Sequence, residues 1–412
     1  MAPLWEPLKI DAFRTLYIAL SIAMLAGWMN SVACSWLMTT LDGSALMLGL
    51  VQGSYTLPGL FFALAGGVLA DRVDRRRFLM SMCLVLTLIG LDLSLLTALG
   101  WIGPWGLLAH TLAMGIVFAL QGPAMMAVIQ DMVRRDLLPQ ALTLNSISLN
   151  VGRAVGPALA GGLIGALGVA AALVCNAASS AMMAVMFART PRPHMRQAPR
   201  EKFIEALWNG LRFAVTERRF RGILLRFMLF LSCASSLLAL MPLVAKETLG
   251  GGPGVFGTLI TWVGVGSVVG AMSRGRASSR LSPNAHALIS AAIGAAAFGG
   301  MAFARDLVEA SAASFFYGLA WTNATITFQV AAQMSVPAAM RGRGISLFMM
   351  TFGTGMMLGG VIWGIVADVY SIKVAMLGAG IGTALFSVAT WTLTLNLPPS
   401  AEDDLEPMDV AP

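Results

Sequence analysis

The chain has 412 residues, of which 57% are hydrophobic and only 11% are charged, and its mean hydropathy is +0.78. Soluble proteins carry about 25% charged residues, so this composition excludes an ordinary soluble enzyme or binding domain. The net charge of +7 does not indicate a nucleic-acid partner, because arginine and lysine also accumulate on the cytosolic side of membrane proteins.

Apolar runs of about 20 residues recur along almost the whole chain, and each could cross a hydrocarbon core of about 30 Å. The first run follows Lys9 and Arg14 and is too long for a signal peptide, so we interpret it as an uncleaved span. The sequence therefore predicts an all-α membrane protein with twelve transmembrane helices. Their predicted bounds are Phe13–Leu37, Ala45–Leu69, Phe78–Leu99, Trp105–Met132, Leu142–Leu167, Val169–Phe187, Ile223–Val244, Val255–Met272, Ala285–Ala304, Leu307–Met334, Ile345–Val366 and Val374–Leu395.

The positive charges support this number of spans. Of 27 Lys and Arg residues, Lys246, Arg305 and Lys373 fall in connections predicted to face outward, and Arg153 falls within a span. The other 23 fall at connections or termini predicted to face the cytosol. Positive residues mark cytosolic loops, so we expect a multi-pass protein of the cytoplasmic (inner) membrane with both termini in the cytosol.

A polar segment divides the spans into six and six. It contains Pro191, Pro193 and Pro199, followed by an amphipathic helical pattern. We predict an N-terminal six-helix bundle over residues 1–188, a cytosolic linker with an amphipathic helix over 189–222, a C-terminal six-helix bundle over 223–396, and a disordered acidic tail over 397–412.

The two halves resemble distant repeats. Three glycines of the fifth span meet three of the eleventh at a constant offset of 203 positions; the pairs are Gly152 with Gly355, Gly156 with Gly359 and Gly161 with Gly364. Gly67 and Arg72 likewise meet Gly275 and Arg280 at an offset of 208. Paired six-helix halves are a recurrent design of membrane transporters.

The connection after the second span carries the most specific motif, GVLADRVDRR. This motif and the two six-span halves resemble the major facilitator superfamily, whose pattern there is Gly-x-Leu-Ala-Asp-Arg-x-Gly-Arg-Arg. The pattern maps onto Gly67, Leu69, Ala70, Asp71, Arg72, Arg75 and Arg76. Asp74 replaces the second glycine of the pattern.

Further stretches resemble the branch that holds macrolide and enterobactin exporters. The fifth span reads GRAVGPALAGG, which is similar to the Gly-Pro motif of antiporters. Small residues let this helix pack closely on a neighbour, and Pro157 permits a bend. Many drug–proton antiporters carry an arginine three residues before Gln-Gly in the fourth span, where this chain has Phe118 before Gln121 and Gly122.

Three ionisable residues lie at membrane depth, where charge is costly and usually functional. Arg153 lies about 12 residues into the fifth span, or ~18 Å from the cytosolic edge at ~1.5 Å per residue. Asp92 lies about 14 residues into the third span, ~21 Å deep by the same rise, and His110 lies near the outer end of the fourth. Each is a candidate for substrate or proton coupling, and each has a structural alternative: a tie to carbonyls or an acid for Arg153, an ion pair for Asp92, and a satisfied helix-end histidine for His110.

Polar uncharged residues cluster in the spans that line the cavity in the resembling family. The candidates for substrate or coupling contact are Asn30, Gln121, Asn323 and Gln329, with Ser232, Ser235 and Ser236 in the seventh span. The 27 methionines and ten tryptophans could supply an adaptable apolar wall, or the methionines could simply fill helix interfaces.

The charges at the cytosolic ends predict a gate, or charge relay, formed by Asp71, Arg72, Arg75, Arg76 and Asp131. In the resembling family such residues close against the start of the eleventh span, here near Gly344. A carboxylate beside a helix N-terminus is stabilised by about 0.3–1 kcal/mol. We expect these contacts to form only when the halves close on the cytosolic side.

The predicted function is secondary active transport by alternating access, with export of a hydrophobic or amphipathic small molecule coupled to proton entry. We expect a monomer with a small-molecule substrate, protons and the lipid bilayer as partners, without nucleic acid, cofactor, metal or catalytic residues. The alternatives are an importer with the same fold, a non-transporting scaffold and an intramembrane enzyme.

Overall fold

The computed structural model describes residues 3–59, 61–62, 66, 69, 73–189, 212, 215–277, 281–337, 341–393 and 395. Over these ranges the protein is helical, without a β-strand. Twelve α-helices can be bounded within the ranges: α1 Asp11–Leu41, α2 Ala45–Thr56, α3 Arg75–Ala98, α4 Pro104–Met132, α5 Leu138–Leu167, α6 Val169–Arg189, α7 Arg218–Leu243, α8 Pro253–Ala277, α9 Pro283–Phe303, α10 Leu307–Met334, α11 Arg341–Val369 and α12 Ile372–Ala389.

Ten of these helices are long and apolar enough to cross a membrane. The two others are α2, whose continuous described part has 12 residues, and α10, which has 28 residues but is rich in alanine, serine and threonine. The described helices match the twelve predicted spans in order. In α10 the polar positions are largely buried against other helices, so the helix needs less hydropathy than a lipid-facing one.

Several helix starts are explained by local capping. The hydroxyl of Ser44 caps α2 by accepting from the backbone N–H of Met47, and Asp306 caps α10 in the same way. The Asp74 carboxylate accepts from the N–H groups of Arg76 and Arg77 and so begins α3. This capping gives a physical reason for an aspartate where the family pattern has glycine.

Several predicted boundaries differ from the observed ones, for example at α7 and α12. Helix α7 begins at Arg218, inside the segment predicted as linker, because the arginines of its first turn extend the helix beyond the apolar run. Helix α12 ends at Ala389 and a turn follows, so it is shorter than the predicted span to Leu395. The close division between the fifth and sixth spans was right, since Gly168 alone separates α5 from α6 with a φ of 84° that favours glycine.

The predicted amphipathic linker helix and the acidic tail lie outside the described residues. So does the end of the second predicted span with its motif residues Gly67, Asp71 and Arg72.

We call the end formed by the connections α1–α2, α3–α4, α5–α6, α7–α8, α9–α10 and α11–α12 the outer end, and the opposite end the inner end. Within the first half of the chain, α1 packs along α5 and α6, and α3 packs along α6. Within the second half, α7 packs along α11 and α12, and α10 packs along α8 and α9. The halves meet chiefly where α2 packs on α11 and α5 packs on α8.

The glycine repeat has equivalent packing in both halves. Gly152 and Gly156 lie against the backbone of α1, while Gly355 and Gly359 lie against that of α7. The third member of each set crosses to the opposite half, because Gly161 lies against α8 and Gly364 lies against the start of α2. A side chain at these positions would hold the helices apart, which explains the small residues.

Candidate functional site

The outer end is closed by a close approach of α2 and α11. A Cβ added to Gly49 would lie 2.1 Å from the carbonyl oxygen of Gly360, and one added to Gly364 would lie 2.8 Å from that of Ala45. The contact continues inward to Thr56, whose carbonyl oxygen would lie 3.0 Å from a Cβ on Gly353. The two helices therefore approach closely along three turns, through their backbones at these glycines and through the Met357 side chain at Gly53.

A carboxylate from one half caps a helix of the other at this end. Asp368, near the end of α11, accepts from the backbone N–H of Ala45 at 2.7 Å and of Leu46 at 2.9 Å, and from the Ser44 hydroxyl at 2.9 Å. The first N–H groups of a helix lack partners within the helix and carry partial positive charge. We call these contacts the outer latch, and they tie the two halves of the chain together.

The outer latch was missed by the sequence analysis. Asp368 stands in an outward connection just after the predicted eleventh span, where a solvated acid is unremarkable. The available signal was a second span that begins Ser-Ala-Leu with no acidic residue in its first turn. No sequence pattern placed that start beside the end of the eleventh span.

Two further contacts close the outer end. Pro157 and Gly161 of α5 pack on α8, where a Cβ added to Gly257 would lie 2.6 Å from the Pro157 carbonyl oxygen. Lys246 follows α7 and donates to the carbonyl oxygen of Thr39 in α1 at 2.6 Å. These residue contacts between the halves run from the outer end to the level of Arg153. There, a Cβ added to Gly264 would lie 3.0 Å from the Arg153 carbonyl oxygen.

Arg153 lies where α5 and α8 make the innermost of these contacts. Its side chain is half-buried, and its guanidinium lies over the ring of Trp28 at 5.2 Å. The Nε atom is buried without a hydrogen-bond partner in the part of the chain that the structure describes. Among the described residues, the interaction found for the Arg153 guanidinium is a cation–π contact, where a hydrogen bond or ion pair with a carbonyl or an acid was the structural alternative.

Two predicted polar residues of the first half have an unused acceptor. Asn30 is buried and donates to the Met114 sulfur at 3.6 Å, while its Oδ1 has no partner among the described residues. The Oε1 atom of Gln121, two turns from Met114 along α4, is also buried without a hydrogen-bond partner among the described residues. Buried amides normally use their acceptors, so both side chains remain candidates for contact with a ligand.

The polar residues predicted for the second half make contacts within their own half, and their contact with a ligand stays a prediction. Ser235 and Ser236 are fully buried and donate to carbonyls of their own helix, and Ser235 lies against Gly359. Asn323 donates to the Leu319 carbonyl and lies beside Gly270 of α8. Gln329 is half-buried, and its contact with a ligand stays a prediction.

The inner end carries part of the predicted charge relay. Arg75 at the start of α3 forms a salt bridge of 2.8 Å with Asp131 near the end of α4, with exposed side-chain fractions of 18% and 32%. Arg76 donates to the carbonyls of Phe187 and Ala188 at the end of α6. The Arg75–Asp131 pair joins α3 to α4 within the first half, and the expectation that the relay forms only when the inner end closes stays a prediction.

Gly344, near which the relay is predicted to close, lies against Val336 in the preceding connection. The relay's other two residues, Asp71 and Arg72, lie outside the described residues, and their roles stay predictions.

Asp92 and His110 form a pair that joins α3 to α4. The Nε2 of His110 lies 2.8 Å from the Asp92 carboxylate, and its Nδ1 lies 2.7 Å from the Gly106 carbonyl oxygen. Both nitrogens are therefore used, which supports the structural alternative for both residues. Asp92 keeps 58% of its side chain exposed, away from the contacts between the halves.

The described residues contain no group of three or more His, Cys, Asp or Glu side chains arranged to hold a metal ion. The geometry thus offers an outer closure, a half-buried cation at the innermost cross-contact and unused amide acceptors. Such an arrangement can bind a solute between two half-molecules that separate at one end.

Comparison with known proteins agrees with this geometry. A family model described as transmembrane secretion effector matches residues 2–412. An uncharacterised MFS-type transporter of Sinorhizobium fredii is 28% identical over 95% of this chain and 96% of its own length. The staphyloferrin A transporter of Staphylococcus aureus is 22% identical over 91% and 94% of the two chains, and the enterobactin exporter EntS of Salmonella typhimurium is 27% identical over 68% and 67%.

Solved structures show the same fold. A mutant of the nucleoside transporter NupG has a TM-score of 0.77 with 16% sequence identity, over 95% of this chain and 100% of its own. A bacterial homologue of the human lysosomal transporter Spinster, inward-facing and unoccupied, has a TM-score of 0.74 with 13% identity, over 97% and 100%. At these identities the likeness establishes the fold alone.

Proposed function

The chain belongs to the transmembrane secretion effector family of the major facilitator superfamily, and on this premise we propose that it exports an amphipathic small molecule by alternating access. The proposed transporter is a monomer of the inner membrane with both termini in the cytosol. Its twelve helices form two pseudo-symmetric six-helix bundles, a division supported by the packing within each half and by the equivalent glycine contacts of α5 and α11.

The observation that carries the proposal is the closure of the outer end. The Gly49–Gly360 approach and the outer latch of Asp368 join the halves there, and the cross-contacts reach inward to Thr56 and Arg153. If the arginine-rich inner end faces the cytosol, this conformation would admit a solute from the cytosol, and rupture of the outer contacts would release it outside. An importer passes through the same conformation in the reverse order, so the direction of transport is proposed from the exporter among the relatives.

Two of the relatives support the cargo class. They are the staphyloferrin A transporter and the enterobactin exporter. We propose a related class of cargo for this chain, a siderophore-type or drug-type molecule with both polar and apolar surfaces. The proposed driving force is the entry of protons, although the Asp92–His110 pair is already satisfied within the first half.

The test is uptake of enterobactin and staphyloferrin A into everted membrane vesicles from a host that expresses the chain. An exporter driven by proton antiport accumulates cargo inside everted vesicles when their interior is acid. Vesicles from the same host without the chain are the control. Loss of cargo from preloaded vesicles when the proton gradient is imposed would favour the importer, and no gradient-dependent movement of either compound would refute the proposal for this cargo class.

A further inference from the structure

The side chain of Arg153 has a setting that a purely structural arginine does not need. It lies near the middle of α5, a helix of 30 residues, and so about 15 residues from either end. Its guanidinium lies over Trp28, and its buried Nε has no hydrogen-bond partner in the described part of the chain. A charged group at this depth is costly unless it is paired.

No described residue supplies the missing negative charge. The acidic side chain placed well inside a described helix is Asp92, and it is bound to His110. Over the described ranges Arg153 thus has no acidic partner, and an anion bound beside it would supply the counter-charge.

The ring of Trp28 gives an aromatic ligand a place beside the cation. It lies 5.2 Å from the Arg153 guanidinium, and the Trp28 side chain is only half-buried. Tyr317 and Trp321 of the second half are 2% and 7% exposed and pack in the core. An anionic head at Arg153 would thus have aromatic surface beside it on Trp28, and a flat aromatic face favours a ring-containing ligand.

We propose that Arg153 binds the anionic group of the transported molecule and that this molecule carries an aromatic body. The inference rests on the proposed function and names its substrate class. The carboxylate or other oxyanion would accept hydrogen bonds from the guanidinium, including the unused Nε–H. The body would lie against the Trp28 ring, at the level where α5 and α8 approach each other at Arg153 and Gly264.

The test compares two probes that differ in charge and share one ring system, 1-naphthoate and 1-naphthamide. Binding to the purified full chain in detergent is measured by isothermal titration calorimetry. We expect the wild-type protein to bind naphthoate at least tenfold more tightly than naphthamide, because the amide cannot neutralise the guanidinium. Equal affinities, or no binding of either probe up to its solubility limit, would overturn the proposal.

Substitutions of Arg153 then test whether this residue causes the preference for naphthoate. Arg153→Gln should abolish the preference for naphthoate, and Arg153→Lys should retain part of it, because lysine keeps the charge but loses the planar fork. Arg305→Gln is the matched control, since it removes an exposed arginine of the α9–α10 connection. Naphthoate binding that survives Arg153→Gln with its preference intact would also overturn the proposal. The wild-type comparison needs no variant and stays decisive if Arg153→Gln does not fold.

This binding assay is independent of transport. Anion-selective binding at Arg153 without transport of any cargo would refute the export proposal alone. Transport that makes no distinction between charged and uncharged cargo would refute the anion site alone.

Discussion

Asp368→Asn is expected to open the outer end of the protein. The carboxylate accepts three hydrogen bonds from the first turn of α2, two from backbone N–H groups and one from the Ser44 hydroxyl. The asparagine amide keeps one acceptor oxygen and turns an NH₂ group toward donors, so at least one N–H loses its partner. The charge that favours the positive end of the helix is lost as well.

The size of the effect follows from the exposure of the latch. An exposed carboxylate at a helix N-terminus contributes about 0.3–1 kcal/mol, and hydrogen bonds to charged groups contribute about 1.5–3 kcal/mol when shielded. Asp368 is exposed, so only part of the second contribution applies. We take about 1–2 kcal/mol in total, which changes the ratio of outer-closed to outer-open molecules about 5–30-fold.

Distances between spin labels measure that ratio. We suggest labels at Trp101, in the α3–α4 connection, and at Tyr370, after α11, because their side chains are 75% and 74% exposed. The background lacks the four native cysteines. Asp368→Asn should add a population at longer distance, measured by double electron–electron resonance in liposomes.

The matched control for the latch is Asp42→Asn. Asp42 is an exposed acid two residues from Ser44, and it accepts from the Ser44 N–H within its own half. Its neutralisation removes the same charge near the same helix start but no contact between halves. If Asp42→Asn shifts the distances as much as Asp368→Asn, or if Asp368→Asn leaves them unchanged, the latch does not hold the outer end closed.

Three further substitutions test other contacts. Gly49→Ala should separate the halves at the outer end, because the added methyl group would lie 2.1 Å from the Gly360 carbonyl oxygen. The same spin-label distances measure this separation. Gly27→Ala is the control, because a Cβ there would have no atom within 4 Å and should leave the distances unchanged. Asp92→Asn should lower the melting temperature in detergent by a few degrees and leave the pH dependence of transport as in wild type, so a lost pH dependence would identify the pair as the proton site instead. Asp131→Asn should lower the melting temperature too, by loss of a partly buried ion pair worth about 1–2 kcal/mol, without moving the outer-end labels; a changed distance would restore the pair to a gating role.

Some site residues could be predicted from the sequence, because placing a charged side chain in a membrane costs free energy whatever its neighbours are. Arg153 and Asp92 stand out within apolar runs wherever those runs pack, since charge in a membrane always needs compensation. The sequence did not show which partner each would find. Asp92 meets a histidine of the next helix, while Arg153 meets a tryptophan from a span far away in the chain.

Other site features depend on contacts between segments that are distant in sequence. Ser235 has the polarity of a cavity residue, but the orientation of α7 turns it into the interface with α11. Asp368 has the sequence context of a surface acid, but the fold places it against the start of α2, more than 300 residues earlier. Side-chain chemistry is the same in both settings, and the packing angle of a helix decides which setting applies.

The sequence by itself determined the membrane location, the order of the helices and the glycines that let helices approach. Hydrophobic length and charge placement act locally along the chain and need no knowledge of neighbours. Only the tertiary structure decided at which end the halves are seen to meet, that Arg75 pairs with Asp131 within the first half, and which helix start Asp368 caps. Those outcomes depend on how the two halves are placed against each other, and in a transporter several placements of nearly equal free energy share one sequence.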